Sequence, residues 1–174
     1  NKAKMVNYGI VYGLSAFGLA DRLDIPQSEA REFIERYFAG FPDLKRFMDE
    51  AVEQAEGNGY AETVMGRRRP IPELKARNPQ VRQLGARLAV NTVVQGTAAD
   101  IMKVGMIRCA DALAASELQA RLLLQVHDEL LLEAPLDEAE ATAELASEAM
   151  VGAYDLQPAL VVDSGFGPDW LSAK

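Results

Sequence analysis

Two apolar runs of strand-forming length in LLLQVHDELLLEA (residues 122 to 134) enclose the only histidine of the chain and two carboxylates: His127, Asp128 and Glu129. A two-residue hairpin turn selected for folding alone favours Asn-Gly or Asp-Gly, so these three side chains read as groups wanted at the end of a rigid ribbon. Adjacent carboxylates there can ligate a hard cation such as Mg2+, which takes oxygen ligands and keeps waters for substrate phosphates. Successive strand residues point to opposite faces, so Asp128 and Glu129 are not expected to grip one ion equally. A merely solvated turn is the alternative.

Lys4, Tyr8 and Tyr12 form a second set, four residues apart and therefore on one side of a helix. A cation and two rings so placed could hold a phosphate and stack a base, while a buried aromatic stripe whose lysine snorkels to water fits the same spacing. The third set is GRRR at residues 66 to 69 and the basic stretch after it, with Arg87, Asn91 and Gln95 again at four-residue spacing. Such a face could donate hydrogen bonds to nucleic-acid phosphates and groove edges. A solvated helix face is the alternative.

The elements that must carry these groups follow from caps and periodicity. Residues 2 to 12 are predicted helical, stopping at Gly13, with no N-cap before them; Asn1 reads as a poor natural start and the chain as the C-terminal piece of something longer. Ser15 can cap a short helix to Leu23, and Pro26 suits the first helical position of a segment to about Phe38. Pro42 opens a third helix that Gly57-Asn58-Gly59 ends. YAETV is expected as a strand and MGRRR as its exposed turn, with Pro70 and Pro72 keeping the return segment short or at an edge. From Gln80 to about Ala115 the pattern is helical, broken at Gly96, where Thr97 and Asp100 could form a capping box and restart a second helix. After the hairpin, Asp137 to about Tyr154 reads as an acidic amphipathic helix and ALVVDSG as a last strand. Helices first, then helices packed on antiparallel strands, give an α+β class with two lobes.

A chain of 174 residues with 49% hydrophobic residues can bury a core. No run of about 18 apolar residues spans a bilayer and no secretory signal opens the sequence, so the expectation is a soluble, cytoplasmic protein with no membrane partner. Cys109 lies among Met106, Ile107, Ala110 and Leu113, a small core hydrophobe rather than a disulfide or metal ligand. The formal charge of −8 argues on average against a nucleic-acid binder. Its distribution argues otherwise: Arg67, Arg68, Arg69, Lys75, Arg77, Arg82 and Arg87 stand against the single acid Glu73, while most of the other acids crowd residues 21 to 62 and 128 to 169.

Together these blocks resemble the family A DNA polymerases of the bacterial DNA polymerase I type, in their C-terminal fingers and palm. KMVNYGIVYG is similar to that family's motif B, GYAETVMGRRRPIP and RLAVNTVVQGTAADIMKVGM to its next two blocks, QVHDEL to its motif C and VVDSGFGPDW to its C-terminal end. The resemblance implies template-directed addition of deoxynucleotides from dNTPs to a primer 3′-hydroxyl, with two Mg2+ ions in the complete enzyme. It implies a fingers part over residues 1–82, a palm part over 83–174, and a monomeric complete protein serving replication and repair in the bacterial cytoplasm, at the nucleoid. By the same resemblance Asp128 is a metal-binding aspartate and Glu129 its acidic neighbour. Lys4 grips the incoming triphosphate, Tyr8 packs on its sugar and base, and Tyr12 lies near the templating base. Arg87, Asn91, Gln95 and His127 meet primer and template, and Arg67 and Arg68 are possible DNA-backbone contacts. The family's other metal-binding aspartate would fall upstream of Asn1, so these 174 residues alone are expected to be inactive and to need the N-terminal part of the polymerase. Gly85-Ala86 replaces the family's common Ala-Glu before Arg87. A non-catalytic nucleic-acid-binding module that kept the scaffold is the rival reading.

Overall fold

The computed structural model describes residues 2–173, the side chains of residues 2, 3 and 5 excepted. The chain packs as two compact units, residues 1–97 and 98–174, in an α+β arrangement of helices with two small antiparallel hairpins.

In the first unit the local signals act where they stand. Helix α1 (Lys2–Val11) is followed by Gly13 at φ 82°. Ser15 caps α2 (Ala16–Leu23) by accepting a hydrogen bond from the Gly18 N–H. Helix α3 (Gln27–Gly40) begins one residue later than expected. Pro26 is extended, at ψ 144°, and serves as the cap residue whose carbonyl accepts from the Ala30 N–H. Pro42 opens α4 (Pro42–Asn58), and Gly59 closes it at φ 81° with its N–H on the Ala55 carbonyl.

Two apolar clusters hold this unit. Val6, Ile10, Leu19 and Ala30 join α1, α2 and α3, with Ile34, Tyr37 and Phe38 around them. Ile10 and Leu19 are essentially sealed from solvent, each such side chain contributing about 1.5–3 kcal/mol. Ala55, Ala61, Ile71, Leu74 and Ala89 make the second cluster. It joins α4 to strand β1 (Tyr60–Glu62), to a 3-10 turn at Pro72–Lys75 and to α5 (Pro79–Asn91). Gly85 lets α5 lie directly on that turn, because a Cβ there would meet the Leu74 backbone nitrogen at 2.8 Å. Strand β1 pairs with β2 (Arg68–Pro70) and is shorter than the expected YAETV. Thr63 is drawn into the connecting loop, where its hydroxyl and amide bond Arg67.

The second helix starts at Thr97 as expected, but the interruption before it is not a capping box. Residues Thr92–Gly96 form a π-helical turn between α5 and α6 (Thr97–Ala115), and Thr97 is itself helical at φ −63°, ψ −46°. A residue in that conformation cannot act as an N-cap; the Thr97 hydroxyl instead accepts from the Val64 N–H at 3.1 Å. The widened turn is stabilised from within by the Thr92 hydroxyl, which donates to the Leu88 carbonyl. Outside it, the loop after β1 presses on Gly96, where a Cβ would lie 2.7 Å from the Thr63 methyl.

In the second unit, strand β3 (Arg121–Val126) pairs antiparallel with β4 (Glu129–Glu133). Leu122, Leu130 and Leu132 pack on Cys109 and Leu113 of α6 and on Ala146 of α7 (Ala139–Val151). The acidic helix is shorter than expected, its first residues forming a 3-10 turn at Leu136–Glu138. Cys109 is fully buried and unpaired with another cysteine, and burial pushes its thiol pKa up. The expected last strand at 159–165 does not form. A strand exists only where its backbone groups meet a partner ladder, and Val161 is 84% exposed. Among the described residues, no helix is long and apolar enough to cross a membrane.

The close approach at the π turn has a measurable consequence. Gly96→Ala is expected to lower unfolding free energy by about 1–3 kcal/mol through overpacking, and Thr63→Ser, which removes only the offending methyl, is expected to recover most of that loss in denaturant titrations. An equal loss in both backgrounds would show that the methyl is not the obstacle.

Candidate functional site

The β3–β4 hairpin turns in two residues, His127 and Asp128, with Val126 opposite Glu129. His127 takes φ 54°, whereas Asp128 is not among the left-handed residues. A two-residue turn with positive φ at its first central position has the sign pattern of a type II′ turn, which glycine normally fills. Holding a histidine there costs about 1–2 kcal/mol. Gln125 partly offsets this by donating from Nε2 to the His127 carbonyl at 2.8 Å. The strain is thus accepted in exchange for a side chain at the tip, and His127, Asp128 and Glu129 are all exposed.

A bulge at Leu123 aims the carboxylates. Leu122 pairs with Leu132, but Leu124 pairs with Leu131, so the remainder of β3 switches faces. Leu130 and Leu132 keep the face that packs on α6 and α7. Val126 and Glu129, Leu124 and Leu131 share the other face, on which Leu124 stays exposed. Glu129 therefore lies away from the helices, and Asp128 sits in the turn itself. Among the described residues, no group of three or more His, Cys, Asp or Glu converges to hold a metal.

On α1 the inward face is Val6 and Ile10, not the tyrosines. Tyr8 is 51% exposed, its ring stacked on Tyr12 at 6.3 Å and 11°, with Lys4 Nζ 5.8 Å from the Tyr8 centroid. A buried aromatic stripe is thereby replaced by an outward shelf carrying one cation. The Tyr37 hydroxyl of α3 donates to the Asn7 amide oxygen, bracing the shelf from behind. The sequence alone does not single out that pair, because nothing in spacing links two residues on different helices.

Arg87 and Asn91 are half-buried on α5, and Gln95 is exposed in the π turn. In a regular α-helix each four-residue step overshoots a full turn by about 40°, so three such residues would drift around the axis. A π turn winds through fewer degrees per residue than an α-helix, so over Thr92–Gly96 it opposes that drift. The Asn91 amide oxygen is buried without a hydrogen-bond partner among the described residues. The Arg87 stem lies against Gly13, which brings the end of α1 to α5.

The basic hairpin is exposed, as its composition implies. Arg68, however, is engaged: Nε donates to Glu62 at 2.6 Å and the guanidinium lies 4.7 Å over the Tyr60 ring. The Glu62 hydrogen bond, with the nearby Tyr60 and Glu62 charges, raises its already high pKa. Cross-strand pairing of Glu62 with Arg68 accounts for this, and only the hairpin register reveals it.

Residues 1–172 match the model of DNA polymerase family A. Over 172 residues the chain is 51% identical to the thermostable DNA polymerase I of Thermus aquaticus, and over 173 residues 51% identical to the DNA polymerase I of Geobacillus stearothermophilus. Each match takes in 99% of this chain and 20% of the relative, so the chain spans about a fifth of their length. Among solved structures it is similar to the POL domain of Pol1 from M. smegmatis in complex with DNA primer-template and dNTP. That likeness has a TM-score of 0.94 and 44% identity, and covers 99% of this chain and 30% of that one. Matched almost from end to end in both sequence and fold, the chain belongs to DNA polymerase family A.

Proposed function

We propose that this chain supplies the fingers part (residues 1–82) and the palm part (83–174) of a template-directed DNA polymerase that adds deoxynucleotides from dNTPs to a primer 3′-hydroxyl. Its carrying observation is the exposed Asp128–Glu129 pair on a strained hairpin tip, in a chain whose solved relative is described with primer-template and dNTP. Its partners are primer-template DNA, the dNTP and the N-terminal part of the polymerase, and the complete protein works as a monomer in bacterial replication and repair, at the nucleoid in the cytoplasm.

The roles follow the chemistry of each group. Lys4 holds the triphosphate, Tyr8 packs on sugar and base from its exposed ring, and Tyr12 lies by the templating base. Arg87, Asn91 and Gln95 reach backbone phosphates and the minor-groove acceptors common to every base pair, which checks pair geometry without reading sequence. His127 stands by the primer terminus. Arg67 and Arg68 are the backbone contacts offered by the basic hairpin, and Arg68 is pre-set by Glu62. Movement of α1 toward the palm would complete the site only around a correct pair.

Asp128 offers hard carboxylate oxygens of the kind Mg2+ prefers. With no third converging ligand among the described residues, this chain furnishes only part of a two-ion site. When bound, such ions neutralise charge on the triphosphate and acidify the attacking hydroxyl. These 174 residues on their own are therefore expected not to extend a primer; robust Mg2+-dependent extension by the purified chain would contradict that. In the complete enzyme, Asp128→Ala is expected to abolish extension while primer-template binding persists, since binding rests on many phosphate contacts. Gel-shift and extension assays on one preparation separate the two, and parallel loss of both would indicate misfolding.

Tyr8 differs from phenylalanine by one hydroxyl. A normal nucleotide brings a 3′-hydroxyl that donates to an acceptor in the triphosphate pocket, whereas a dideoxynucleotide leaves that acceptor unmet unless the protein donates. An unmet polar group in a closed site costs about 1–3 kcal/mol, on the order of 10- to 100-fold. The complete enzyme is expected to accept dideoxynucleotides readily and its Tyr8→Phe variant to reject them. Competition between deoxy and dideoxy substrates measures this, and an unchanged ratio would assign Tyr8 to stacking alone.

A further inference from the structure

Resting on the role proposed above for Arg87, we infer that Gly13 is a positioning residue for that arginine, tying the end of the nucleotide-facing helix to the helix that meets the duplex. Gly13 follows α1 at φ 82°, a backbone conformation that strains any L side chain. That alone explains a glycine after a helix and carries no function. Gly59 and Gly66 share the conformation, at φ 81° and 84°, yet a Cβ at either would meet nothing within 4 Å. At Gly13 the same ideal Cβ would lie 2.6 Å from Cγ and 2.9 Å from Cδ of Arg87.

Cγ is the root of the arginine side chain, not its flexible end. It cannot move aside without redirecting the whole guanidinium, so the bare α-carbon of Gly13 is the floor on which the Arg87 stem lies. The contact also joins two separately packed clusters. Helix α1, with Lys4, Tyr8 and Tyr12, is anchored through Val6 and Ile10 to α2 and α3. Arg87 belongs to α5, anchored through Ala89 to Ala55, Ala61, Ile71 and Leu74. Any displacement of α1 relative to α5 moves the floor under Arg87. The direction in which its guanidinium meets a primer or template phosphate is therefore coupled to the position of the helix that holds the incoming nucleotide.

The test is a double-mutant cycle in the complete polymerase with Gly13→Ala, Arg87→Ala and both. Backbone strain at positive φ is common to both backgrounds and cancels, whereas the overlap exists only with the arginine stem: after Arg87→Ala the remaining Cβ, 3.7 Å from an ideal Cβ at Gly13, is an ordinary contact. Gly13→Ala is expected to lower Tm more in the wild-type background than beside Arg87→Ala. In single-turnover incorporation it is expected to reproduce the Arg87→Ala phenotype: slower incorporation and weaker primer-template binding, each about tenfold, with KM for the correct dNTP little changed. The double variant should be no worse than Arg87→Ala alone. Equal Tm losses in the two backgrounds, or a multiplicative slowing in the double variant, would overturn the positioning role. If Arg87→Ala itself left binding and incorporation intact, the role of Arg87 would fall and this inference with it, while the polymerase reading would still stand or fall on Asp128→Ala.

Discussion

The helical run from Pro79 to Ala115 widens into a π turn at Thr92–Gly96, and contacts on either side of that turn depend on it. The run buries Ala89 against α4, β1 and the 3-10 turn, and Cys109 and Leu113 against the hairpin and α7. Arg87 and Asn91 lie half-buried on α5 before the π turn, and Gln95 is exposed within it. The π turn at Thr92–Gly96 lies between α5 and α6. Inside the turn the Thr92 hydroxyl donates to the Leu88 carbonyl, and outside it Thr63 closes on Gly96. The short β1–β2 hairpin is thus more than a basic surface: its loop, through Thr63 and the Val64 amide, keeps the widened turn in place. Such turns are energetically poor in isolation and survive where surrounding contacts over-determine them.

The same logic governs the β3–β4 tip. A hairpin built only to fold would place glycine or asparagine where His127 stands at φ 54°. Three leucines docked on α6 and α7 make the ribbon stable enough to carry that local cost. The bulge at Leu123 then sets which face each following residue takes. Rigidity behind the tip and exposure at it are two results of one packing arrangement, and a group that must meet substrate benefits from both. The tyrosine shelf follows suit: Val6 and Ile10 anchor α1 from below, so Tyr8 can stay in solvent without loosening the helix.

Family membership and the ends of α2 and α4 were legible in the sequence because each is written in residues close together along the chain. Ser15 reaches only as far as Gly18; Pro42 and Gly59 act on their own dihedral angles; the apolar runs around His127 need only each other. The ordered motif blocks that carry the family resemblance are likewise contiguous strings, and the matched family model spans nearly the same residues. What the sequence determined by itself is therefore the ends of α2 and α4, the hairpin, the α+β class and the family. Tertiary structure decided the rest. Thr97 and Asp100 have capping-box spacing, yet Val64 claims the threonine hydroxyl and the helix runs on. ALVVDSG has strand composition and finds no ladder among the described residues. Lys4, Tyr8 and Tyr12 have a spacing equally suited to core or surface, and the burial of Val6 and Ile10 turns them outward. Gly13 looks like any helix-ending glycine until Arg87 lies across it. In each case the deciding atom belongs to a residue distant in the chain, and only folding brings it within van der Waals or hydrogen-bonding range.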